Sequence, residues 1–257
     1  MELPVRVNVL GVGISVINLE SAVATLAAAV RSRTRGHVCV TGVHGVMESQ
    51  ADPALRRIHN RSLLTTPDGM PMVWLGRMAG HRAMDRVYGP DLMEHVMEWS
   101  RGSGATHFLY GGNTGVAQEL KVRLEQRFPG VRIVGTYTPP FRPLNAEEQA
   151  ALEAQVAACR PDFLWVGLST PKQERFMDAQ GGRLAATVML GVGAAFDFHA
   201  GRVPQAPRWI QRSGLEWLYR LCKEPRRLWK RYLSNNPRFV VRILAQKLGL
   251  RTYALES

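Results

Sequence analysis

A single carboxylate lies in a Pro-Asp-Gly turn where it could act as a general base. In the stretch "LTTPDGMPMVWLG", Asp68 follows Pro67 and precedes Gly69, a combination that favours a sharp turn at the end of an apolar strand. A carboxylate at such a strand end can have a raised proton affinity and can take a proton from a hydroxyl group. Asp68 could equally be a turn residue that binds its own backbone, and the sequence leaves both interpretations open.

Arg86 follows in "DRVYGPDL" and could return to the same strand end. There its guanidinium would meet an anionic group such as a diphosphate. It could instead form a surface ion pair with Asp85 or Asp91.

A glycine-rich turn in "FLYGGNTGVAQEL" joins a predicted strand to a predicted helix. Gly111, Gly112 and Gly115, with Asn113 between them, would let a phosphate approach the free N–H groups of the helix. Such glycines also serve tight strand–helix packing. The spacing is not G-x-G-x-x-G, and no acid follows at the distance typical of a ribose contact, so a dinucleotide-binding oxidoreductase is disfavoured.

A second glycine pair, Gly191 and Gly193, follows the apolar residues that begin the stretch "TVMLGVGAAFDFHAGR". Ligands of open α/β sheets bind at the carboxyl ends of the strands, which favours Gly191, Gly193 and Asp197 as ligand contacts. Asp197 could also be a helix-capping residue. His199 and His44 are weaker candidates, because a lone histidine is more often structural than catalytic.

Metal chemistry has no recognisable motif in this chain. No D-x-D pair occurs, no His/Asp/Glu cluster has ligand spacing, and Cys39, Cys159 and Cys222 are scattered. The cysteines fit a reducing compartment. We therefore expect a site without metal or cofactor, in which backbone N–H groups, helix dipoles and arginines meet an anionic ligand.

Apolar strands alternate with amphipathic helices along residues 1–203, which we interpret as the body. This alternation predicts an α/β fold with a Rossmann-like, mostly parallel sheet flanked by helices. Strands are expected in "HVCVTGV", "THFLYGG", "VRIVGTY", "PDFLWVGLS" and "TVMLGVG", and a single helix in "GVMESQADPALRRIHN". Asn145 is expected to cap the helix "AEEQAALEAQVAAC".

Residues 204–257 differ in texture and are predicted to form a basic, helical C-terminal appendage, broken at Pro225 and Pro237. Lys and Arg number 33 in the chain against 21 Asp and Glu, and from Arg202 onward thirteen basic residues face three acids. Apolar residues recur there at helical spacing, as in helices that lie on a membrane surface. A cap packed on the body, or a nucleic-acid-binding surface, would also fit.

No signal peptide and no apolar run of about 20 residues is recognised in the sequence. We therefore expect a cytoplasmic protein, peripheral on the inner face of the cell membrane. The oligomeric state stays open.

Several long blocks, in order, resemble the WecG/TagA/CpsF family of bacterial glycosyltransferases. They extend from about residue 5 to 245 and include "TPDGMPMVWLGRMAG", "RVYGPDL", "LWVGLSTPKQE" and "GVGAAFDFHAGRVPQAPRWIQRSGLEWLYRL". The resemblance implies an inverting transferase that moves a sugar from a UDP-sugar to a saccharide on undecaprenyl diphosphate, in assembly of cell-surface polysaccharide.

The resemblance also implies roles for individual residues. Asp68 would be the general base, and Arg86 would contact the diphosphate of the lipid acceptor. Gln173 would line the pocket, and Tyr137 and Asp197 would contact uridine. The basic positions of the appendage that would complete the site and hold the membrane are Arg220, Arg227 and Lys230.

One departure concerns the stretch "VTGVHGV". Many members have T-x-N there, with the Asn near the acceptor sugar, whereas this chain keeps Thr41, has Val43 in place of Asn, and continues with His44. The stretch looks closer to exopolysaccharide members that transfer a hexose such as glucose. We therefore expect a donor or acceptor that differs from that of N-acetylmannosaminyl transferases.

Overall fold

The computed structural model describes residues 2–256, except for the side chain of Arg227. Over this part of the chain it contains eight strands and twelve helices. The strands are β1 (Arg6–Val9), β2 (Val12–Ser15), β3 (Gly36–Thr41), β4 (Leu64–Pro67), β5 (Thr106–Gly111), β6 (Arg132–Tyr137), β7 (Phe163–Gly167) and β8 (Val188–Gly191). The helices are α1 (Leu19–Arg31), α2 (Val43–Ala51), α3 (Pro53–Arg61), α4 (Met70–Met78), α5 (Gly89–Ser103), α6 (Val116–Arg127), α7 (Ala146–Cys159), α8 (Lys172–Gln180), α9 (Ala195–His199), α10 (Arg208–Arg212), α11 (Glu216–Lys223) and α12 (Pro225–Lys247).

Six strands form a parallel sheet in the order β4-β3-β8-β7-β5-β6. Their sequences are near-continuous apolar runs because helices cover the sheet; all four residues of β8, for example, are buried. The five strands expected from the sequence correspond to β3, β5, β6, β7 and β8. The prediction of an α/β fold with a parallel sheet flanked by helices is therefore confirmed.

One predicted helix is two helices, α2 and α3. They are separated at Asp52, whose side chain accepts hydrogen bonds from the backbone N–H groups of Ala54 and Leu55. Pro53 occupies the first position of α3, where its missing N–H costs nothing. The Asn145 cap of α7 is confirmed, and Glu148 completes it as a capping box.

The predicted break at Pro237 is wrong, because α12 continues through that residue to Lys247. A proline inside a helix removes one hydrogen bond and costs about 3 kcal/mol. Leu228 and Tyr232 before it and Phe239 after it are all buried. Packing of this one face on both sides of the proline offsets the local cost.

The chain divides into two compact units, each made of separate stretches. The first unit contains residues 1–3, 19–39 and 89–204, and the second contains residues 4–18, 40–88 and 205–257. In the first unit, β5, β7 and β8 end side by side, because all three are parallel and paired in register. Phe108 on β5 and Phe163 and Trp165 on β7 are fully buried in the core.

The second unit has a hydrophobic core to which the C-terminal segment contributes. The cluster consists of Val9, Leu10, Val12, Ile14, Val46, Met47, Met72, Leu75, Met84 and Phe239. Phe239 lies on α12, so by packing residues 205–256 belong with the segments around β4 and α4. The division at residue 204 into body and appendage remains a prediction about function.

An antiparallel hairpin, β1–β2, lies in the second unit and was not predicted from the sequence. Leu10 and Gly11 in its turn both have positive φ, 53° and 83°. The side chain of Asn8 accepts a hydrogen bond from the Gly11 N–H at 2.8 Å and donates to the carbonyl of Tyr253 at 2.6 Å. The hairpin thus ties the last residues of the chain to the second unit.

Candidate functional site

Asp68 lies between the end of β4 and the start of α4, in the second unit. Its backbone N–H donates to the carbonyls of Thr41, at 3.0 Å, and Thr66, at 2.9 Å. Gly69, the N-cap of α4, has a φ of 98°, which residues with side chains rarely adopt. These constraints fix the turn and leave the Asp68 side chain 31% exposed. A carboxylate held on a rigid strand end, with solvent access, is suited to proton transfer.

The segment that carries Arg86 runs beside β4. Thr66 Oγ1 donates to the carbonyl of Val87 at 3.1 Å, which holds this segment against the strand. Arg86 Nη2 lies 4.0 Å from Asp68 Oδ1. Asp85, one of the ion-pair partners that the sequence allowed, lies 3.3 Å from the side chain of a different arginine. The structure therefore brings Arg86 to the carboxylate of the turn.

Arg86 is buried among three partners within the second unit. Its Nη1 donates to Gln211 Oε1 at 2.8 Å, and its Nη2 forms a short ion pair with Glu216. Its guanidinium carbon lies 4.0 Å from the centroid of the Tyr88 ring. The side chain is only 9% exposed, so a carboxylate and a π face replace the water that the cation has lost.

Arg220 joins the same cluster from α11. Burial opposes its charge, but Tyr232, Tyr88, Glu216 and Asp68 together raise the pKa of its guanidinium. Lys230, in contrast, is exposed and lies 5.6 Å from the ring of Trp229. The side chain of Arg227 lies outside the described residues. Of the two basic positions in the appendage whose side chains the structure describes, Arg220 is the one that interacts electrostatically with Asp68.

Burial shifts the pKa of two neighbours of Arg86, the carboxyl of Glu216 and the phenol of Tyr88. It raises the pKa of the Glu216 carboxyl; Arg86 opposes this shift and Asp68 adds to it. Burial also raises the pKa of the Tyr88 phenol, and the carboxylates of Glu216 and Asp68 add to the rise. Tyr88 therefore stays neutral and hydrogen-bonds to Glu216.

Thr41 and His44 lie at the end of β3 and the start of α2, close to the turn of Asp68. Thr41 is 1% exposed, and its Oγ1 is buried without a hydrogen-bond partner. His44 Nδ1 lies 3.3 Å from Asn235 Nδ2 and 3.6 Å from a carboxylate oxygen of Glu48. Thr41 is therefore next to the candidate base, whereas His44 interacts with α2 and α12.

The glycine-rich turn after β5 belongs to the first unit. A Cβ on Gly111 would lie 2.7 Å from the carbonyl oxygen of Gly167, and one on Gly112 would lie 2.8 Å from Val116. Close packing of β5 on β7 therefore accounts for Gly111, and close packing of the turn on α6 accounts for Gly112. Asn113 is exposed at the start of the turn, and a role in phosphate binding remains a prediction.

Gln173 packs against Gly191, the last residue of β8, and Gly193 just after it. A Cβ on Gly191 would lie 3.0 Å from its amide carbon, and one on Gly193 would lie 3.5 Å from its Oε1. This Oε1 is buried and has no hydrogen-bond partner. Gln173 Nε2 donates to Oε1 of Glu174 at 3.1 Å, which fixes the amide, and burial raises the pKa of the Glu174 carboxyl.

Tyr137 ends β6 and forms the outer member of an aromatic stack. Its ring centroid lies 5.7 Å from that of Tyr110, which in turn lies 4.2 Å from Phe176. Tyr137 is partly exposed, so its free face is available to a planar ligand.

Asp197 and His199 lie on the short helix α9. The backbone carbonyl of Asp197 accepts hydrogen bonds from the N–H groups of Arg202 and Val203. His199 is buried, hydrogen-bonds to the carbonyl of Pro90 at 3.1 Å, and has a pKa lowered by burial. His199 is therefore structural, as the sequence favoured.

Two residues of the Arg86 cluster, Gln211 and Glu216, were not identified from the sequence. Glu216 is one of only three acids after Arg202, and this isolation in a basic segment was the available signal.

Over residues 2–256, no group of three or more His, Cys, Asp and Glu side chains is arranged to hold a metal ion. In the same range, no helix combines the length and apolar character needed to cross a membrane.

Comparison with known proteins identifies relatives for almost the whole chain. A family model described as the glycosyl transferase WecG/TagA/CpsF family matches residues 7–253. N-acetylglucosaminyldiphosphoundecaprenol N-acetyl-beta-D-mannosaminyltransferase of Bacillus subtilis (strain 168) is 29% identical over 187 residues, or 73% of this chain and 70% of the relative. The enzyme of the same name from Bacillus spizizenii (strain ATCC 23059 / NRRL B-14472 / W23) is 30% identical over 197 residues, or 77% and 74%.

Gly42 offers a direct test of the turn that holds Asp68. A Cβ at this position would lie 2.6 Å from the Asp68 carbonyl oxygen, so Gly42→Ala must displace the turn. We expect turnover to fall by about tenfold or more, because small misplacements of a catalytic group are costly. Gly102→Ala is the control, since no atom lies within 4 Å of its added Cβ. Activity of Gly42→Ala equal to that of Gly102→Ala would contradict the importance of this turn.

Proposed function

Because this chain belongs to the WecG/TagA/CpsF family of glycosyl transferases, we propose that it moves a sugar from a UDP-sugar to a saccharide on undecaprenyl diphosphate, with inversion at the anomeric carbon. The observation that carries the proposal is the pair formed by Asp68 and Arg86, 4.0 Å apart at the end of β4. A base beside a cation suits an acceptor that has a hydroxyl to be activated and a diphosphate to be held.

Asp68 acts as the general base in this proposal. It takes the proton of the acceptor hydroxyl while the oxygen attacks the anomeric carbon from the face opposite UDP. UDP leaves with the electron pair of the broken glycosidic bond. The fixed backbone and partly exposed side chain of Asp68 support this role.

Arg86 and Arg220 would bind the diphosphate of the acceptor lipid. A guanidinium presents a fork of N–H donors that matches phosphate oxygens. Both arginines are largely buried near Asp68, where hydrogen bonds to an anion are strong. The acceptor hydroxyl would thereby be held near its base.

The first unit would bind the UDP part of the donor. Tyr137, which stacks on the buried Tyr110, would offer its outer face to uracil, and Asp197 would contact the uridine. N–H groups of the turn at Gly111, Gly112 and Asn113 would meet the donor diphosphate. The unpartnered Oε1 of Gln173, beside Gly191 and Gly193, would accept a hydrogen bond from the donor. The absence of a D-x-D pair favours a metal-independent reaction.

The names of the relatives give both an acceptor and a transferred sugar, and we carry over only the acceptor. Both name N-acetylglucosaminyl-diphosphoundecaprenol as acceptor and N-acetylmannosamine as the sugar transferred. We propose the same acceptor class here. For the donor we propose a difference, because this chain keeps Thr41 but has Val43 in place of the Asn of the family's T-x-N pattern, followed by His44, as in members that transfer a hexose.

A donor screen tests the proposed reaction. UDP release would be measured with a panel of UDP-hexoses and UDP-N-acetylhexosamines and a short-chain polyprenyl-diphosphate-linked N-acetylglucosamine. We expect release that depends on the acceptor, with a UDP-hexose such as UDP-glucose preferred. If no UDP-sugar in the panel gave acceptor-dependent release of UDP, the proposed donor class would be contradicted.

Asp68→Asn tests the base. The amide cannot accept the proton at neutral pH, so we expect turnover to fall by at least about a hundredfold, with UDP-sugar binding nearly unchanged. Glu98→Gln serves as a control, because Glu98 is an exposed acid that pairs with Arg101 on α5. Wild-type turnover of Asp68→Asn would remove Asp68 from the mechanism.

One face of α12 supports an association with the inner face of the cell membrane. It combines exposed apolar residues with exposed basic ones at helical spacing, and each Lys or Arg near an anionic surface contributes about 1 kcal/mol. The members of this α12 face are Arg226, Trp229, Lys230, Leu233, Val240, Val241, Leu244 and Leu248. We propose that this face lies on the lipid surface, which holds the enzyme where its acceptor resides.

Changing two exposed residues of the α12 face tests this more sharply than removing the segment, since Phe239 on the same helix is part of a core. Trp229→Ser combined with Leu233→Ser should weaken binding to vesicles containing phosphatidylglycerol by about tenfold or more. Turnover on a water-soluble short-chain acceptor should be kept. Val122→Ser, an exposed apolar change on α6, is the control. Unchanged vesicle binding, or a preference for RNA over vesicles, would contradict the proposal.

A further inference from the structure

Glu216 occupies a guanidinium N–H position of Arg86 that a diphosphate would need. It forms a short ion pair with Nη2 of Arg86, and the two side chains are 17% and 9% exposed. Carboxylate and phosphate oxygens bind a guanidinium through the same N–H donors. An anion that reaches Arg86 from outside therefore competes with Glu216 for the same atoms.

The charges of the cluster lead to the same conclusion. Arg86 and Arg220 carry two positive charges, and Asp68 and Glu216 supply two carboxylates. With both acids ionised the cluster is neutral and offers no net attraction to a diphosphate. Adding a multiply charged anion beside both carboxylates is unfavourable, because like charges that are brought together in a buried site cost several kcal/mol.

We propose that Glu216 is an internal competitor for Arg86, which holds the position of the lipid diphosphate until the acceptor arrives and is then displaced by it. The inference rests on the proposed role of Arg86 in binding that diphosphate. Displacement turns the neutral cluster into one with a net positive charge, balanced by the incoming anion. Discrimination follows, since a ligand without the diphosphate cannot release Glu216.

The start of α11, where Glu216 lies, is weakly held, whereas Arg220 lies one turn further along the same helix. α11 has eight residues, none of them fully buried, and its N-cap, Leu215, provides no side-chain hydrogen bond. Gly214 just before it has a φ of 78°. Segments with so little burial open at low free-energy cost. α12, in contrast, contributes Phe239 to the core and would remain in place.

Gln211 would keep Arg86 oriented after Glu216 has left. It is 8% exposed, and its Nε2 donates to the carbonyl of Ala206 at 2.7 Å, which directs its Oε1 toward Arg86. A neutral amide holds the guanidinium without competing for its charge.

The test measures binding of inorganic pyrophosphate to the full-length chain by calorimetry, with the donor site filled by saturating UDP. We expect Glu216→Gln to tighten this binding by about tenfold, because the substitution removes the competing charge and keeps the shape. We also expect it to lower KM for the lipid-linked acceptor. Glu125→Gln, an exposed acid that pairs with Lys121 on α6, should change neither quantity. The double variant Arg86→Gln with Glu216→Gln should bind pyrophosphate no more tightly than Arg86→Gln alone, because Arg86 is the group for which Glu216 competes.

The outcomes separate the inference from the function on which it rests. If Arg86→Gln abolishes pyrophosphate binding while Glu216→Gln leaves it unchanged or weaker, Glu216 is not a competitor and the proposed function stands. If Arg86→Gln binds pyrophosphate as the wild type does, Arg86 does not contact the diphosphate and the proposed function loses that residue.

Hydrogen exchange in the wild-type chain gives a second measurement that does not depend on a variant folding. Saturating pyrophosphate in the presence of UDP should speed amide exchange at the start of α11, beside Glu216, and leave α12 unchanged. Exchange at the start of α11 that stays the same or slows would overturn the proposal.

Discussion

A guanidinium that is nine-tenths buried cannot remain without compensating partners, and this requirement organises the second unit. Removing an arginine from water costs several kcal/mol unless hydrogen bonds and an opposite charge replace the lost hydration. Arg86 obtains them from Glu216, Gln211 and the ring of Tyr88. Two of these partners come from the C-terminal segment. The ion pair therefore joins the beginning of that segment to the strand end that carries the candidate base, while Phe239 anchors it in the core.

The parts of the fold that could be predicted are those in which local sequence and burial agree. Strands β3 and β5 to β8 are apolar because they are covered, and Asn145 with Glu148 forms a cap whose residues are neighbours in sequence. The hairpin β1–β2 was missed because Leu10, a residue that rarely adopts positive φ, occupies its turn. The uninterrupted α12 was missed because the packing that stabilises it across Pro237 is tertiary.

In the candidate site, too, the residues that could be predicted are those whose positions depend on nearby sequence. Asp68 and Arg86 are joined by a short segment that the hydrogen bonds of β4 hold in place, so proximity along the chain anticipated proximity in space. Glu216 and Gln211 are 130 and 125 residues away from Arg86 along the chain, and no sequence motif around them indicates a binding site. Family resemblance indicated basic positions in the appendage, and among those whose side chains are described Arg220 interacts with Asp68. Glu216, the acid that balances these positive charges, could be identified only from the three-dimensional structure.

The order of segments along the chain has a consequence for biosynthesis. The second unit is assembled from residues 4–18, 40–88 and 205–257, so the first two stretches leave the ribosome long before the third. Until the third has been made, Phe239 is missing from the core and Arg86 lacks Glu216. The first unit contains no residue beyond 204 and can fold during this interval, as earlier parts of a chain generally do. A nascent or prematurely terminated chain would then have a folded first unit and an incomplete second unit, in which the carboxylate that pairs with Arg86 is still missing.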